Sequence, residues 1–286
     1  MINHLTIIGV GLIGASLSLA LKQAGYVHRV TGCGRNEENL KKGIELGVLD
    51  DYSLSITDAV KDADVVVVAV PLGAMKSVFE QMRGALSEHT IVTDVGSAKA
   101  TVVEDARTML GPQFRLFVPA HPIAGSENSG VEAGVGDLYQ QRKIILTPVE
   151  QTDQAALEIV RQMWLQTGAD VESMDVEHHD RVLAATSHLP HMLAFSLVSH
   201  LSKMSDQDEI FNYAAGGFRD FTRIASSDPV MWRDICLANG DALLELIEGF
   251  KKQLDEIAHA IEHKDPDALF ELFRDSKHTR DQLRKL

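Results

Sequence analysis

The chain has almost nothing with which to cross-link itself: two cysteines, Cys33 and Cys236, in 286 residues. No paired-cysteine spacing is present, so the sequence offers neither a disulfide framework nor a cysteine zinc site, and a reducing cytoplasm is the setting it implies. Basic residues are short as well. Lys and Arg number 27 against 41 Asp and Glu, a formal net charge of −14. That field opposes phosphate polyanions and anionic lipid, which argues against nucleic acid or a membrane surface as partner. No basic leader with a cleavage pattern precedes Leu5-Thr-Ile-Ile-Gly9, and no apolar run is expected to reach the ~18 residues of a membrane span. Low-complexity tracts are missing too, so no segment is set aside as disordered.

What is present suits two domains, since the length allows two separate apolar cores. The reading divides them as 1–176 and 177–286. In the first, the apolar run Leu5-Thr-Ile-Ile8 leads into Gly9-Val-Gly11-Leu12-Ile13-Gly14 and then a helical-period segment. This is the strand, glycine loop and helix of a dinucleotide site. Gly9 serves the tight turn, Gly11 lets a pyrophosphate approach backbone, and Gly14 lets the helix pack on the strand. The N–H groups of Leu12 and Ile13 open the helix toward phosphate oxygens.

The second strand, Arg29 to Cys33, ends in Gly34-Arg35-Asn36, where an acidic residue would hold the ribose hydroxyls of NAD. A guanidinium at Arg35, beside Asn36, favours the 2′-phosphate of NADP over NAD. Further apolar runs at Val65–Val70, Thr90–Asp94, Leu116–Pro119 and Lys143–Pro148 read as parallel strands covered on both faces, a Rossmann-type doubly wound, mostly parallel α/β sheet. Ligands in such sheets lie beyond the strands' carboxyl ends, here Val70-Pro71, Asp94-Val-Gly-Ser97-Ala-Lys99 and His121-Pro-Ile-Ala-Gly-Ser-Glu127.

From about Val176 the strand pattern gives way to helical periods, so the second domain is expected to be nearly all α. His179-Asp180 opens one such helix, and His188 and His191, three apart, share a face if the helix continues through Pro190, where a kink is expected. The imidazoles at 179, 188 and 191 lack metalloenzyme spacing with a convergent carboxylate, and no metal site is assigned. Gly216 to Pro229 packs Arg219, Asp220 and Arg223 among aromatics, and Asp228-Pro229 reads as an N-cap with proline in the first turn of a helix carrying Trp232. Long apolar faces from Leu243 to Ile261 suit a homodimer interface.

Taken in order, Gly9-Val-Gly-Leu-Ile-Gly14, Asp94-Val-Gly-Ser97-Ala-Lys99, His121-Pro-Ile-Ala-Gly-Ser-Glu127, His179-Asp180, Ser187-His-Leu-Pro-His191 and Gly217-Phe-Arg-Asp-Phe-Thr-Arg223 resemble the prephenate/arogenate (cyclohexadienyl) dehydrogenase family of tyrosine biosynthesis. The resemblance spans nearly the whole chain. It implies an all-α dimerisation domain like that of 6-phosphogluconate dehydrogenases, and oxidative decarboxylation of prephenate to 4-hydroxyphenylpyruvate, or of arogenate to tyrosine, with hydride passing to NAD(P). It further implies His121 as proton acceptor, Ser97 as the residue that orients it and meets the nicotinamide, and Arg223 as a carboxylate clamp. His188, His191, His179, Glu127 and Trp232 would line the substrate, and Val70 and Pro71 the cofactor. With no added regulatory domain before Leu286, any tyrosine feedback is expected at or near the active site.

Two rivals share the fold. A β-hydroxyacid dehydrogenase would depend on a helical-domain lysine, whereas the stretch from His179 to Leu201 is rich in histidine and has only Lys203 just beyond it. A non-catalytic NADP-sensing dimer would have no use for His121, Ser97 and Arg223 at the nicotinamide end.

Overall fold

The computed structural model describes residues 1–126 and 128–283. They form two compact units, Met1–Gly240 and Asp241–Leu286. The first begins with β1 (Ile2–Ile8), α1 (Leu12–Gln23), β2 (Val27–Cys33), α2 (Glu37–Glu45), β3 (Asp51–Ser53), α3 (Ile56–Ala59), β4 (Val65–Val68), α4 (Leu72–Met82), β5 (Ile91–Asp94), α5 (Ala100–Leu110) and β6 (Phe117–Val118). These six strands make one parallel sheet in the order β3-β2-β1-β4-β5-β6. The order reverses between β1 and β4, and the crevice beyond their carboxyl ends is where such sheets bind dinucleotides.

Side-chain alternation explains why β4 can be four valines in a row. Val65 and Val67 join one apolar cluster with Ile7, Leu17 and Trp164, while Val66 and Val68 join another with Met75, Phe79 and Val102. Helices therefore cover both faces, and every position of the strand is buried.

The chain then leaves this sheet, which corrects the expected strand list. Pro119 has no N–H with which to extend β6. Residues Ala120–Pro122 (β7) instead start a three-stranded sheet with β8 (Lys143–Leu146) and β9 (Asp170–Ser173), β7 running antiparallel to β8 and β9 parallel to it, while α6 (Gln154–Leu165) connects β8 to β9. So the Lys143 run belongs to a second sheet, and His121 sits in a strand opposite Ile145, where a loop was expected. Strands β3 and β9 were not anticipated; with Asp51-Tyr-Ser53 and Asp170-Val-Glu-Ser173 they are polar edge strands without a buried face.

The helical expectation beyond residue 176 holds. Helix α7 (Val176–Leu183) starts earlier than His179 because the Asp175 side chain accepts from the His178 N–H and caps it. A π-turn over Ala184–His188 leads into α8 (Leu189–Leu201), with Pro190 in its first turn. In place of a simple proline kink, the helix widens just before the ring that would strike the carbonyl four residues back. There follow α9 (Gln207–Asn212), α10 (Gly216–Thr222), a 3₁₀ turn over Arg223–Ser226, and α11 (Pro229–Ala238), capped by Asp228 as expected.

The α7–α8 rod, Val176–Leu201, is long and apolar enough by length and composition to cross a membrane, contrary to the expectation of no such run. It contains His179, Asp180 and His188, all buried in the polar network described below. The second unit consists of most of α12 (Gly240–Glu262) and of α13 (Pro266–Leu283). Leu244, Leu254, Ile261, Phe270, Phe273 and Leu283 are exposed on these two helices.

Candidate active site

The glycine loop behaves as its spacing implies. Gly9 has φ +95°, and a Cβ on it would stand 2.3 Å from the Ala69 carbonyl oxygen at the end of β4. A Cβ on Gly14 would lie 2.6 Å from the Gly9 oxygen and 2.7 Å from Ile7 Cγ2, so bare backbone is needed to seat α1 on β1. Gly11 differs: nothing lies within 4 Å of where its Cβ would be. The amino end of α1 beside it has no side-chain cap and no acidic residue in its first turn. Open space next to uncapped N–H groups fits a pyrophosphate.

Val70 and Pro71 lie against this loop, Val70 Cγ1 being 3.0 Å from the Gly9 Cβ position and Pro71 forming the N-cap of α4. At the end of β2, Arg35 is exposed with no carboxylate at 33–36 to oppose it, and Asn36 spends its oxygen capping α2 through the Asn39 N–H.

Beside the switch point, three side chains form a directed hydrogen-bond chain. Asp180 Oδ1 lies 2.8 Å from His179 Nδ1, and His179 Nε2 lies 2.9 Å from His121 Nδ1. A carboxylate can only accept, so His179 Nδ1 carries the hydrogen and its Nε2, in the neutral ring, is an acceptor. His121 must then donate from Nδ1. Its Nε2 is left with a free lone pair, the form a general base requires.

Burial pushes the His121 pKa well below its usual 6.5, and positive charge on His179, Lys99 or His188 would push the same way. His179 is lowered as well, mainly by burial. Burial alone would raise Asp180, but the bonds from His179 and from the Ala100 and Lys99 backbone N–H groups outweigh it and hold the carboxyl below its ordinary value. The chain is a carboxylate and two neutral imidazoles at physiological pH.

Facing it is a second group. The indole of Trp232 stacks on His191, with ring centroids 3.7 Å apart and an 18° interplanar angle, and meets His188 edge-on at 6.1 Å. His188 and His191 thus do share a face, across the π-turn. Asn239, missed in the sequence, donates through Nδ2 to the Asp180 carbonyl at 2.8 Å and reaches His188 Nδ1 at 3.1 Å. The same NH₂ serves both, so His188 Nδ1 accepts and its Nε2 carries the hydrogen. Among the described residues, that Nε2 and Trp232 Nε1 are buried donors with no close hydrogen-bond partner, the Ser97 backbone being near enough to His188 only to favour its protonated form slightly. Burial takes His188 down to about 4 and lowers His191, toward which Arg223 also directs its charge.

Some expected roles change. His179, expected to line the substrate, is fully buried with its ring nitrogens engaged by His121 and Asp180. The ring partner of His121 is His179, where Ser97 was expected to orient it; Ser97 lies half-buried in the β5–α5 loop with its backbone beside His188. Arg223 is exposed at the start of its 3₁₀ turn. Glu127 lies outside the described residues. Among those described, the ligand atoms close enough to share a metal ion are those of His259, Glu262 and His263 on the exposed end of α12, and none of the histidines at 121, 179, 188 and 191 belongs to such a group.

Residues 17–173 match the family model of the prephenate dehydrogenase nucleotide-binding domain, and residues 175–275 that of the prephenate dehydrogenase dimerization domain. The chain belongs to the prephenate dehydrogenase family. It is 38% identical to the cyclohexadienyl dehydrogenase of Zymomonas mobilis, over 97% of this chain and 95% of that one. The prephenate dehydrogenase of Aquifex aeolicus, solved with hydroxyphenyl propionate and NAD+, superposes with a TM-score of 0.92 at 38% identity, covering 99% of each chain. The arogenate dehydrogenase of Synechocystis superposes at 0.81 with 26% identity, covering 98% of this chain and 99% of that one. As a family member the protein is an NAD(P)-dependent oxidoreductase that oxidatively decarboxylates prephenate or arogenate in tyrosine biosynthesis.

Proposed function

We propose that His121 is the general base of this reaction, and that the free Nε2 lone pair forced on it by His179 and Asp180 is the observation that carries the assignment. The nicotinamide, when bound, accepts the hydride that leaves C4 of the cyclohexadienol. His121 Nε2 takes the C4 hydroxyl proton as that hydride departs, and the Asp180 carboxylate at the far end of the chain stabilises the imidazolium. The electron pair of the C1–carboxylate bond then enters the ring as CO2 leaves, and His121 returns the proton to the phenolate oxygen. Overall, one hydride and one CO2 leave the substrate.

The residues around this step divide the work. Backbone at Gly9, Gly11, Leu12, Ile13 and Gly14 would hold the pyrophosphate, with Val70, Pro71 and Ser97 toward the nicotinamide. Arg223, His191, His188 and Trp232 would take the substrate's carboxylates and side chain, the buried Nε2–H of His188 and Nε1–H of Trp232 being donors that await acceptors. Glu127 keeps its place as a substrate-side candidate. The cofactor reading is NADP over NAD, supported by Arg35 and the missing carboxylate at the end of β2. We divide the domains as 1–176 and 177–286, a boundary near the junction of the two family models at 173 and 175. Exposed apolar side chains on α12 and α13 support a homodimer, and two free cysteines a cytoplasmic setting. Tyrosine, which carries the product's phenol, would compete at this site.

An assay of prephenate and arogenate against NAD and NADP, followed by reduced-nicotinamide absorbance with and without tyrosine, tests the reading. Turnover of at least one substrate with NADP preferred is expected, and Arg35→Ala should weaken NADP more than NAD. Equal losses for both cofactors would remove the 2′-phosphate contact.

A further inference from the structure

The reaction makes no use of a buried ion pair behind the base. Lys99 and Asp94 have fully buried side chains in contact with each other. Between them they grip residue Ala120 on both sides: Lys99 Nζ donates to the Ala120 carbonyl at 2.8 Å, and Asp94 Oδ1 accepts from the Ala120 N–H at 3.2 Å. The Ala120 carbonyl belongs to the peptide that joins residue 120 to His121. Meanwhile the backbone N–H of Lys99 donates to Asp180 Oδ1 at 2.8 Å, the same oxygen that meets His179.

Tracing these bonds closes a ring. It runs from the Lys99 side chain through Ala120 to His121, across to His179 and Asp180, and back to the Lys99 amide. We propose that Lys99 is a positioning residue for this reaction, fixing His121 from behind through its side chain and fixing the supporting His179–Asp180 pair through its own backbone. This rests on the assignment of His121 as the base.

A fully buried ion pair is costly to form, and well-packed apolar replacements are often neutral or stabilising. Its placement here is what needs explaining. The pair sits where the chain steps from β6 to β7, a junction with Pro119 that β-ladder bonds alone do not hold. The ammonium also has an electrostatic consequence. The charges felt at the His121 ring are those of His179 from α7, His188 from the π-turn and Lys99 from the β5–α5 segment, with Asp180 and Asp94 paired to His179 and Lys99 behind them. The charge on Lys99 disfavours a second positive charge on His121 and so helps keep it a free base.

Lys99→Met alone strands Asp94 as an uncompensated buried charge, so the decisive variant is the double change Lys99→Met with Asp94→Asn, and Lys99→Arg tests rescue by charge. Folding is checked by circular dichroism, and the His121 tautomer by long-range proton–nitrogen NMR of the full-length enzyme without ligands. In the double variant kcat should fall on the order of tenfold to a hundredfold. The acid limb of kcat/KM should move toward neutral pH, and His121 should lose its Nδ1-protonated preference. Lys99→Arg should restore the position of the acid limb in part. A double variant that melts earlier but keeps the wild-type kcat, pH profile and tautomer would overturn the proposal, leaving Lys99 merely structural. Because the NMR readout needs no turnover, that failure differs from failure of the base assignment, which His121→Asn tests by itself.

Discussion

At the scale of single residues, the chemistry depends on which nitrogen holds a hydrogen. Two neighbouring histidines are given opposite polarity by their partners: Asp180, through His179, makes His121 an acceptor at Nε2, while Asn239 makes His188 a donor there. One can take a proton from an alcohol, the other can give a hydrogen bond to an oxygen. His121→Asn should therefore lower kcat by on the order of 10² to 10⁴ while KM changes little, because a base matters most in the transition state. Arg223→Ala should do the reverse, raising KM with kcat within a few-fold, as loss of ground-state binding does. Steady-state kinetics of both variants check this; intact turnover in the first would sink the base assignment. Gly9 and Gly14 were legible in the sequence because their constraints are local, a turn and a close helix–strand approach. His121 and His179 stand 58 positions apart, and nothing in their flanking residues signals that the rings meet.

Elements position these groups, and the α7–π–α8 rod carries most of the burden. It places His179 and Asp180 one turn from its capped start, then His188 at the end of the π-turn and His191 in the first turn of α8. Burying several neutral imidazoles on and against one rod couples its stability to pH. The unfolded chain binds protons at these rings near the usual 6.5, whereas His121, His179, His188 and His191 in the folded protein take them only at lower pH. Their contribution is complete above the unfolded value and is lost as pH falls through it toward the folded values. Thermal denaturation followed by circular dichroism should give a Tm that is flat above neutrality and drops steadily on acidification below pH 6.5, faster than in a His188→Gln variant. Parallel curves for the two proteins would argue that His188 takes no part. Pro190 announced a disturbance in this rod from the sequence, but a π-turn is a tertiary outcome, fixed by which side chains must face Trp232 and Asn239.

For the whole molecule, the exposed apolar residues of α12 and α13 demand an account. Leu254, Ile261, Phe270 and Phe273 are each about half exposed or more, at 49, 61, 63 and 56%. Surface of this kind is costly in water at roughly 25 cal/mol per Å² and marks an interface when several such residues lie on adjacent helices. The enzyme should sediment as a dimer at micromolar concentration, and Phe270→Asp with Phe273→Asp should shift it toward monomer. A double variant that sediments as the wild type would move the interface elsewhere. The net charge of −14 belongs to this scale too. Against such a field an anionic substrate needs a local cation, and Arg223, whose charge bears on His191, is the one proposed.

The sequence by itself determined the parts whose meaning is local. Strand, glycine loop and helix follow from spacing; the parallel core follows from unbroken apolar runs; the all-α second half follows from period; and the start of α11 follows from Asp228. Tertiary structure alone decided that His121 leaves the main sheet for a second one, that both ring nitrogens of His179 are taken up by His121 and Asp180, and that Lys99, Asp94 and Asn239 join the buried network around them. The reason is physical. Propensity, capping and periodicity act between residues a few positions apart, but a hydrogen-bond chain among buried groups exists only once folding has brought distant segments within about 3 Å and excluded water from them.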